Sequence, residues 1–308
     1  MQPQRSYLLG LVGSGVAPSL TPKLHMAEGR AQGLDYVYRP IDLDARGLDA
    51  ERLPEILDWA ERLGFDALNI THPCKRSVIG LLDEIDPVAA ALGSVNTVRF
   101  TDAGRIGSNT DTTGFEHAFQ EGLAGAPAGD VVLLGAGGAG SAVADALMRL
   151  GVERLVVVDQ EERRARELAA ELSSRHARVV GTGSADDLPG LLAGSDGIVQ
   201  CTPIGMHHHP GAPFDVAHLH DGLWVADIVY RPLETELLRA ARSIGCRTMH
   251  GGLMAVGQAA DTFRLVTGLE PDTIRMHEHF QRLVDEEEAL TTRRDEPCPM
   301  PSPAARRR

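Results

Sequence analysis

The sequence predicts an α/β chain with room for two domains, one of them a Rossmann-type dinucleotide-binding unit. Three observations predict it. Short β-like runs alternate with amphipathic helical stretches. A glycine-rich turn, Gly135-Ala136-Gly137-Gly138-Ala139-Gly140, follows an apolar run and opens a helical one. The chain has 308 residues, enough for two domains of ordinary size.

Along the chain, Tyr7 to Val12 reads as a first strand, and Tyr36 to Tyr38 with Ile41 as a second. Leu53, Ile56, Leu57, Ala60 and Leu63 follow the i, i+3, i+4, i+7 spacing of a helix, and Gly64 caps it. Asp66 to Ile70 and Val95 to Phe100 are two more short strands. Strands parted by helices imply βα units and a parallel sheet. In the middle, Val131 to Leu134 is a buried strand, Ala142 to Leu150 a helix, and Leu155 to Val158 the next strand. Ile198, Val199 and Trp224 to Ala226 continue the series. Such unbroken apolar runs fit central strands covered on both faces. From Thr291 the chain turns rich in Arg, Asp, Pro and Ser, and 291–308 is expected to be a disordered tail.

Composition excludes several classes. Hydrophobic residues make up 43% and charged ones 24%, the balance of a soluble globular protein. Acidic residues number 43 against 30 basic, a net charge of −13, which disfavours nucleic acid and anionic membranes. No apolar run is long enough to span a bilayer and no signal-like segment opens the chain, so a cytoplasmic protein is expected. The cysteines (Cys74, Cys201, Cys246 and Cys298) lie far apart without a CxxC and read as free thiols. The run His207-His-His209 sits in a polar loop, and no metal is expected there, because three consecutive histidines cannot all face one ion. Of the basic residues only Lys23 and Lys75 are lysines. Where Arg has replaced Lys almost everywhere, a retained Lys hints at a task that needs a removable proton.

The glycine turn has the context its chemistry needs. The first Gly makes the tight turn, the second lets the backbone approach a pyrophosphate, and the third lets helix pack on strand. Free N–H groups at the helix start then hold the phosphates. Asp159 ends the following strand at the spacing where a carboxylate accepts from an adenosine ribose. With Glu161 and Glu162 close by, that carboxylate repels a 2′-phosphate, so NAD is expected and NADP disfavoured. Arg163 and Arg164 lie a turn into the helix, behind those acids.

The remaining polar blocks resemble the shikimate dehydrogenase family. The likeness runs from Leu9 to about Phe280, with the motifs in the family's order. They are Gly13 through His25, Asn69-Ile-Thr71-His-Pro73-Cys-Lys75, Gly93-Ser-Val-Asn96-Thr97 and Gly107-Ser-Asn109-Thr110-Asp111. Thr202-Pro203-Ile-Gly205-Met206, Asp227-Ile-Val-Tyr230-Arg-Pro232 and Met254 through Gln258 complete the series. Thr21 in place of a second Ser, and Asp159 in place of an Asn-Arg-Thr-like motif, are similar to the NAD-linked quinate/shikimate branch. The chain departs from the family at Gln200-Cys201 for Asn-Ala, His250 for Asp, Gly257 for His and Thr112 for Gly.

The resemblance implies an N-terminal α/β substrate domain over 1–110, an NAD-binding domain over 111–249, and helices over 250–290 that return to the first. It implies hydride transfer between the ring alcohol of shikimate or quinate and NAD. Lys75 and Asp111 are the matched catalytic residues, with Lys75 expected to take the alcohol proton and Asp111 to orient it. Ser19, Thr21, Thr71, Asn96, Tyr230 and Gln258 are the matched substrate positions. Thr202, Pro203, Met206 and Gly251 join Gly135 to Gly140 and Asp159 on the cofactor side. The partners implied are small molecules, with a homodimer allowed. The competing readings are a dehydrogenase of a related cyclic polyol, of aminoshikimate or inositol type, and a non-catalytic NAD-binding sensor.

Overall fold

The computed structural model describes residues 5–295. Its first half is built from β1 (Ser6–Gly13), α1 (Thr21–Ala31), β2 (Asp35–Asp42), α2 (Leu53–Arg62), β3 (Ala67–Ile70), β4 (Glu84–Ile85), α3 (Pro87–Leu92), β5 (Thr97–Thr101) and β6 (Gly104–Ser108). These strands form one sheet in the order β2-β1-β3-β5-β6-β4. The expected parallel arrangement holds for β2, β1 and β3. It fails at β5, which runs antiparallel to both β3 and β6. For β5 and β6 the reason is the short turn between Thr101 and Gly104, which permits only a hairpin, whereas a parallel return needs a crossover of a dozen or more residues.

The link α4 (Asp111–Gly122) leads into β7 (Asp130–Leu134), α5 (Gly138–Arg149), β8 (Arg154–Val158), α6 (Glu162–His176), β9 (Gly181–Gly183), α7 (Leu188–Leu192), β10 (Gly197–Gln200), β11 (Trp224–Asp227), α8 (Glu236–Ser243) and β12 (Arg247–His250). Their six strands are parallel throughout, in the order β12-β11-β10-β7-β8-β9. Successive residues of a strand point to opposite faces, and both faces here are buried. Val131 and Leu133 pack under helices α4 to α6, while Val132 and Leu134 pack with Leu237, Leu238 and Ala241 of α8. That double cover is why β7 and β8 read as unbroken apolar runs. The order of strands reverses between β7 and β10, and the crevice beyond their C-terminal ends is where ligands of such sheets bind.

Two helices, α9 (Gly251–Thr267) and α10 (Thr273–Asp295), carry the chain back to the first half. Val256, Ala259, Met276 and Phe280 pack against Leu20 and Leu24 of the first half, and Phe263 packs against Tyr36 and Tyr38. Where α4 crosses α9 the backbones nearly touch: a Cβ on Gly114 would lie 2.6 Å from the backbone N of Gln258, and one on Gly257 2.8 Å from the carbonyl oxygen of Gly114.

Part of the stretch expected as a disordered tail is helical. Residues 291–295 belong to α10, since no Gly or Pro interrupts that stretch. Residues 296–308, and with them Cys298, lie outside the described residues. Cys74, Cys201 and Cys246 are free thiols. Among the described residues no helix is long and apolar enough to cross a membrane.

Candidate active site

A cleft of about 470 Å³ opens between the two sheets. Its walls bring together Ser19, Thr21, Thr71, Lys75, Asn96, Asp111, Tyr230 and Gln258 from six separate stretches of chain. Ala139, Thr202, Pro203, Met206 and Gly251 also line it. Gly135, Ala136, Gly137, Gly138, Gly140 and Asp159 are not among its walls and lie where β7 and β8 end.

At its centre Lys75 Nζ lies 2.6 Å from Asp111 Oδ2. The two side chains are 18% and 11% exposed, so a ligand can reach them while bulk water is mostly excluded. Asp111 is the first residue of α4, where a carboxylate suits the positive end of a helix. Its other oxygen, Oδ1, accepts from Asn96 Nδ2 at 2.9 Å, and its backbone N–H donates to Asn109 Oδ1. Asn96 also donates to Thr110 Oγ1 at 3.0 Å and accepts from the Thr110 N–H at 2.9 Å, so both hydrogens of its amide are engaged. Behind it, Asn69 donates to the Asn96 carbonyl and to Thr97 Oγ1, and accepts from the Tyr38 hydroxyl at 2.5 Å. A connected, buried web of this kind holds one geometry, because each broken bond would leave an unsatisfied group. Asp111 is thereby aimed at Lys75 by residues of the first sheet.

One wall of the cleft is the loop from β1 to α1. Ser19 Oγ accepts from the Thr21 N–H at 3.3 Å and is paired with the Tyr230 hydroxyl. Asp42, at the end of β2, braces this loop. Its carboxylate accepts from the N–H groups of Gly15 at 3.2 Å and Ala17 at 2.7 Å, and also from Asp44 and Ala45. Burial pushes the Asp42 carboxyl up, but these amides outweigh it and hold the group below its usual range. Sequence reasoning missed Asp42, since an Asp just after a strand reads as an ordinary turn residue. Arg231 spans the mouth, donating to the Pro18 carbonyl at 2.9 Å and pairing with Glu287 of α10. Gln258 projects from α9, its amide donating to the carbonyl of Ala255.

The glycine turn fits a dinucleotide. Gly135 has φ of 98°, a conformation that L side chains rarely adopt, and a Cβ there would meet the backbone of Cys201 at 3.0 Å. A Cβ on Gly140 would lie 1.9 Å from the Gly135 carbonyl, so only Gly lets α5 pack on β7. Gly137 faces open space, and no side chain caps the N-terminus of α5. Its N–H groups are therefore free for phosphate oxygens. A Cβ on Gly138 would stand 4.0 Å from Lys75 Cδ, which places the start of α5 against the central lysine. Asp159 Oδ2 accepts from the Ala136 N–H at 2.7 Å and Oδ1 from the Glu161 N–H at 2.9 Å. Arg163 and Arg164 are exposed and paired with Glu167 and Glu161.

On the far wall, Asp227 closes β11 with its side chain fully buried. It accepts from the Val229 N–H at 3.0 Å and the Thr235 hydroxyl at 2.8 Å. Burial raises its carboxyl to about 6 against those bonds. Neighbouring Cys201 lines the cleft, and burial pushes its thiol well up, so it stays protonated. His207, His208 and His209 are exposed on the loop after Met206, and among the described residues no three His, Cys, Asp or Glu side chains gather as a metal site would require.

Residues 11–98 match the family model for the shikimate dehydrogenase substrate binding domain, and residues 120–206 that for shikimate / quinate 5-dehydrogenase. A shikimate dehydrogenase (NADP(+)) of Arthrobacter sp. (strain FB24) is 54% identical over 289 residues, covering 92% of this chain and 97% of that one. A quinate/shikimate dehydrogenase (NAD(+)) of Corynebacterium glutamicum is 49% identical over 281 residues, covering 90% and 99%. Among solved structures, quinate dehydrogenase from Corynebacterium glutamicum in complex with NAD superposes with a TM-score of 0.86 at 48% identity, covering 91% of this chain and all of the other.

Proposed function

The chain belongs to the shikimate dehydrogenase family, and on that footing we propose that it oxidises both shikimate and quinate at the ring C3 alcohol, with NAD as the preferred acceptor. The products are 3-dehydroshikimate and 3-dehydroquinate. The observation that carries the reading is the Lys75–Asp111 pair, 2.6 Å apart, facing one cleft together with the start of the glycine-turn helix.

Each residue has a task in this reading. Ser19 and Thr21 hold the substrate carboxylate, with Tyr230 set beside Ser19. Thr71, Asn96 and Gln258, which line the cleft, are assigned to the ring hydroxyls. Hydroxyl partners discriminate a polyol well, because a ligand lacking the group leaves a buried donor or acceptor unpaired. Bound NAD supplies the hydride acceptor. Gly135 to Gly140 hold its pyrophosphate, Asp159 its adenosine ribose, and Thr202, Pro203, Met206 and Gly251 border its other end. As the hydride leaves the carbinol carbon, the hydroxyl proton passes to the Lys75 amine, while Asp111 accepts a hydrogen bond and orients both groups. Asn96 keeps Asp111 in that attitude through its 2.9 Å bond.

The preference for NAD rests on Asp159. Its carboxylate is fixed by two backbone amides at the end of β8, the position at which such folds meet the adenosine ribose, and the two nearby arginines are already paired with glutamates. Relatives of both cofactor types match the chain, so the cofactor is decided by assay. NADH or NADPH formation is followed with shikimate, quinate, aminoshikimate and an inositol. Turnover of shikimate and quinate with NAD supports the reading. Turnover of only another cyclitol, or NAD binding without turnover of any, overturns it.

A further inference from the structure

Strand β10 ends in Gln200, whose side chain has no exposure to solvent. Its amide nitrogen donates toward the Thr202 hydroxyl at 2.8 Å, the Ile204 carbonyl at 2.7 Å and the Thr202 carbonyl at 3.1 Å. Its amide oxygen accepts from the Thr202 N–H at 2.9 Å. One planar group thus grips both ends of the Thr202–Ile204 turn. The opposite side of that turn is cleft wall, formed by Cys201, Thr202, Pro203 and Met206. On the next strand Asp227 stands in register with Gln200 and holds the following loop through Val229 and Thr235. The two loops are joined where the His207 N–H donates to the Arg231 carbonyl at 3.3 Å. Nothing that Gln200 bonds belongs to the substrate-side loop of Ser19 and Thr21.

We propose that Gln200 is a positioning residue that sets the nicotinamide-facing wall of the cleft by locking the Thr202–Ile204 turn, and so governs cofactor binding and the geometry of hydride transfer without touching either reactant. This rests on the dehydrogenase reading above. An Asn in its place is one methylene shorter and reaches less far along the turn; Gln bonds both Thr202 and the Ile204 carbonyl. A Met fills nearly the same volume with no hydrogen bond at all, leaving the Thr202 N–H and the Ile204 carbonyl without their Gln200 partner.

The test compares wild type, Gln200→Met and Gln200→Asn by thermal melting, direct NADH binding followed by fluorescence, and steady-state kinetics. In Gln200→Met the NADH Kd and the KM for NAD should rise about tenfold or more. Its kcat should fall, while the KM for shikimate stays within about twofold of wild type. Gln200→Asn should fall between the two. Folded variants with wild-type cofactor constants overturn the proposal, and so does an equal loss in both KM values, which marks general loosening of the fold. If Gln200→Met does not fold, Gln200→Asn decides by the same split. Failure of wild type to oxidise shikimate refutes the functional reading instead, and NADH binding by the variants still judges Gln200.

Discussion

Lys75 and Asp111 stand 36 residues apart in sequence and 2.6 Å apart in space, at the seam between the two sheets. Lys75 follows β3 of the first sheet, and Asp111 heads α4, the helix that leads into the second. A lysine so placed is held between the carboxylate that orients it and the start of the glycine-turn helix. Replacing it by Ala should cut kcat by about 10²–10⁴-fold, the range for a general base. NADH affinity should hardly change. Lys75→Arg should be no better, since a guanidinium stays protonated. Steady-state rates and NADH titrations on the two variants check this; near-normal turnover in the Arg variant would refute proton transfer to Lys75.

Asp159 should decide between the two dinucleotides. In wild type kcat/KM with NAD should exceed that with NADP. Asp159→Asn should move the ratio toward NADP by about tenfold, as expected for losing one charged hydrogen-bond partner and its repulsion of a phosphate. Parallel assays with both cofactors measure it. A wild type that prefers NADP would hand the role to Arg163 or Arg164.

Thr21 bears on the two substrates. Quinate carries an extra hydroxyl on a tetrahedral carbon next to its carboxylate, whereas shikimate is planar there. Thr offers the hydroxyl of Ser, but its β-branch restricts χ1 and its methyl fills space beside the ring. Thr21→Ser should shift kcat/KM toward shikimate by about 1–2 kcal/mol. Paired assays on both acids read the shift, and a wild type inert toward quinate would remove that half of the proposal.

Asp42 should control the substrate side alone. Asp42→Ala strips four backbone amides of their acceptor, two of them in the loop that carries Ser19. The expected result is a loss of about 1–3 kcal/mol in stability, with a raised KM for shikimate. NADH affinity should be unmoved. Denaturant melts and the two KM values test it; a change confined to the KM for NAD would contradict the bracing role.

Asp227 should leave a signature in pH. Its folded carboxyl is raised to about 6 by burial, above the ordinary 3.8. The folded state therefore holds this proton more tightly than the unfolded chain. The stability it contributes is full below about pH 4 and is lost as pH rises through about 6, by up to about 3 kcal/mol. Asp227→Asn carries no such proton. The wild-type-minus-variant stability difference, measured by denaturation across pH 4 to 8, should fall with rising pH; a flat difference would show that Asp227 does not titrate in this window.

Much of this architecture was readable from residue order, for a physical reason. β7 and β8 lie under helices on both faces, so their apolar runs are continuous and their lengths plain. β6, Gly104-Arg-Ile-Gly-Ser108, has one large apolar residue and exists through pairing with β5, which no local pattern announces. The same split runs through the cleft. Motif blocks with fixed spacing pointed to Lys75, Asp111 and the glycine turn. The braces behind them escaped, because Asp42, Tyr38 and Thr97 become partners of the site only when distant strands are laid side by side.

The crossing of α4 and α9 has a bearing on how this protein can be altered. Swapping a helical Gly for Ala is a common route to heat resistance, worth about 0.5–1 kcal/mol where the extra methyl has room. Gly114 and Gly257 sit inside helices and look like ready targets, yet a methyl on Gly114 would run into Gln258 and one on Gly257 into the backbone of Gly114. Either swap wedges the helices apart, and the wedge falls one turn from Asp111 and beside Gln258. Neither position can be made smaller than glycine to relieve the contact, so this crossing is closed to heat-hardening by that route, and an added methyl would disturb the alignment of the cleft instead.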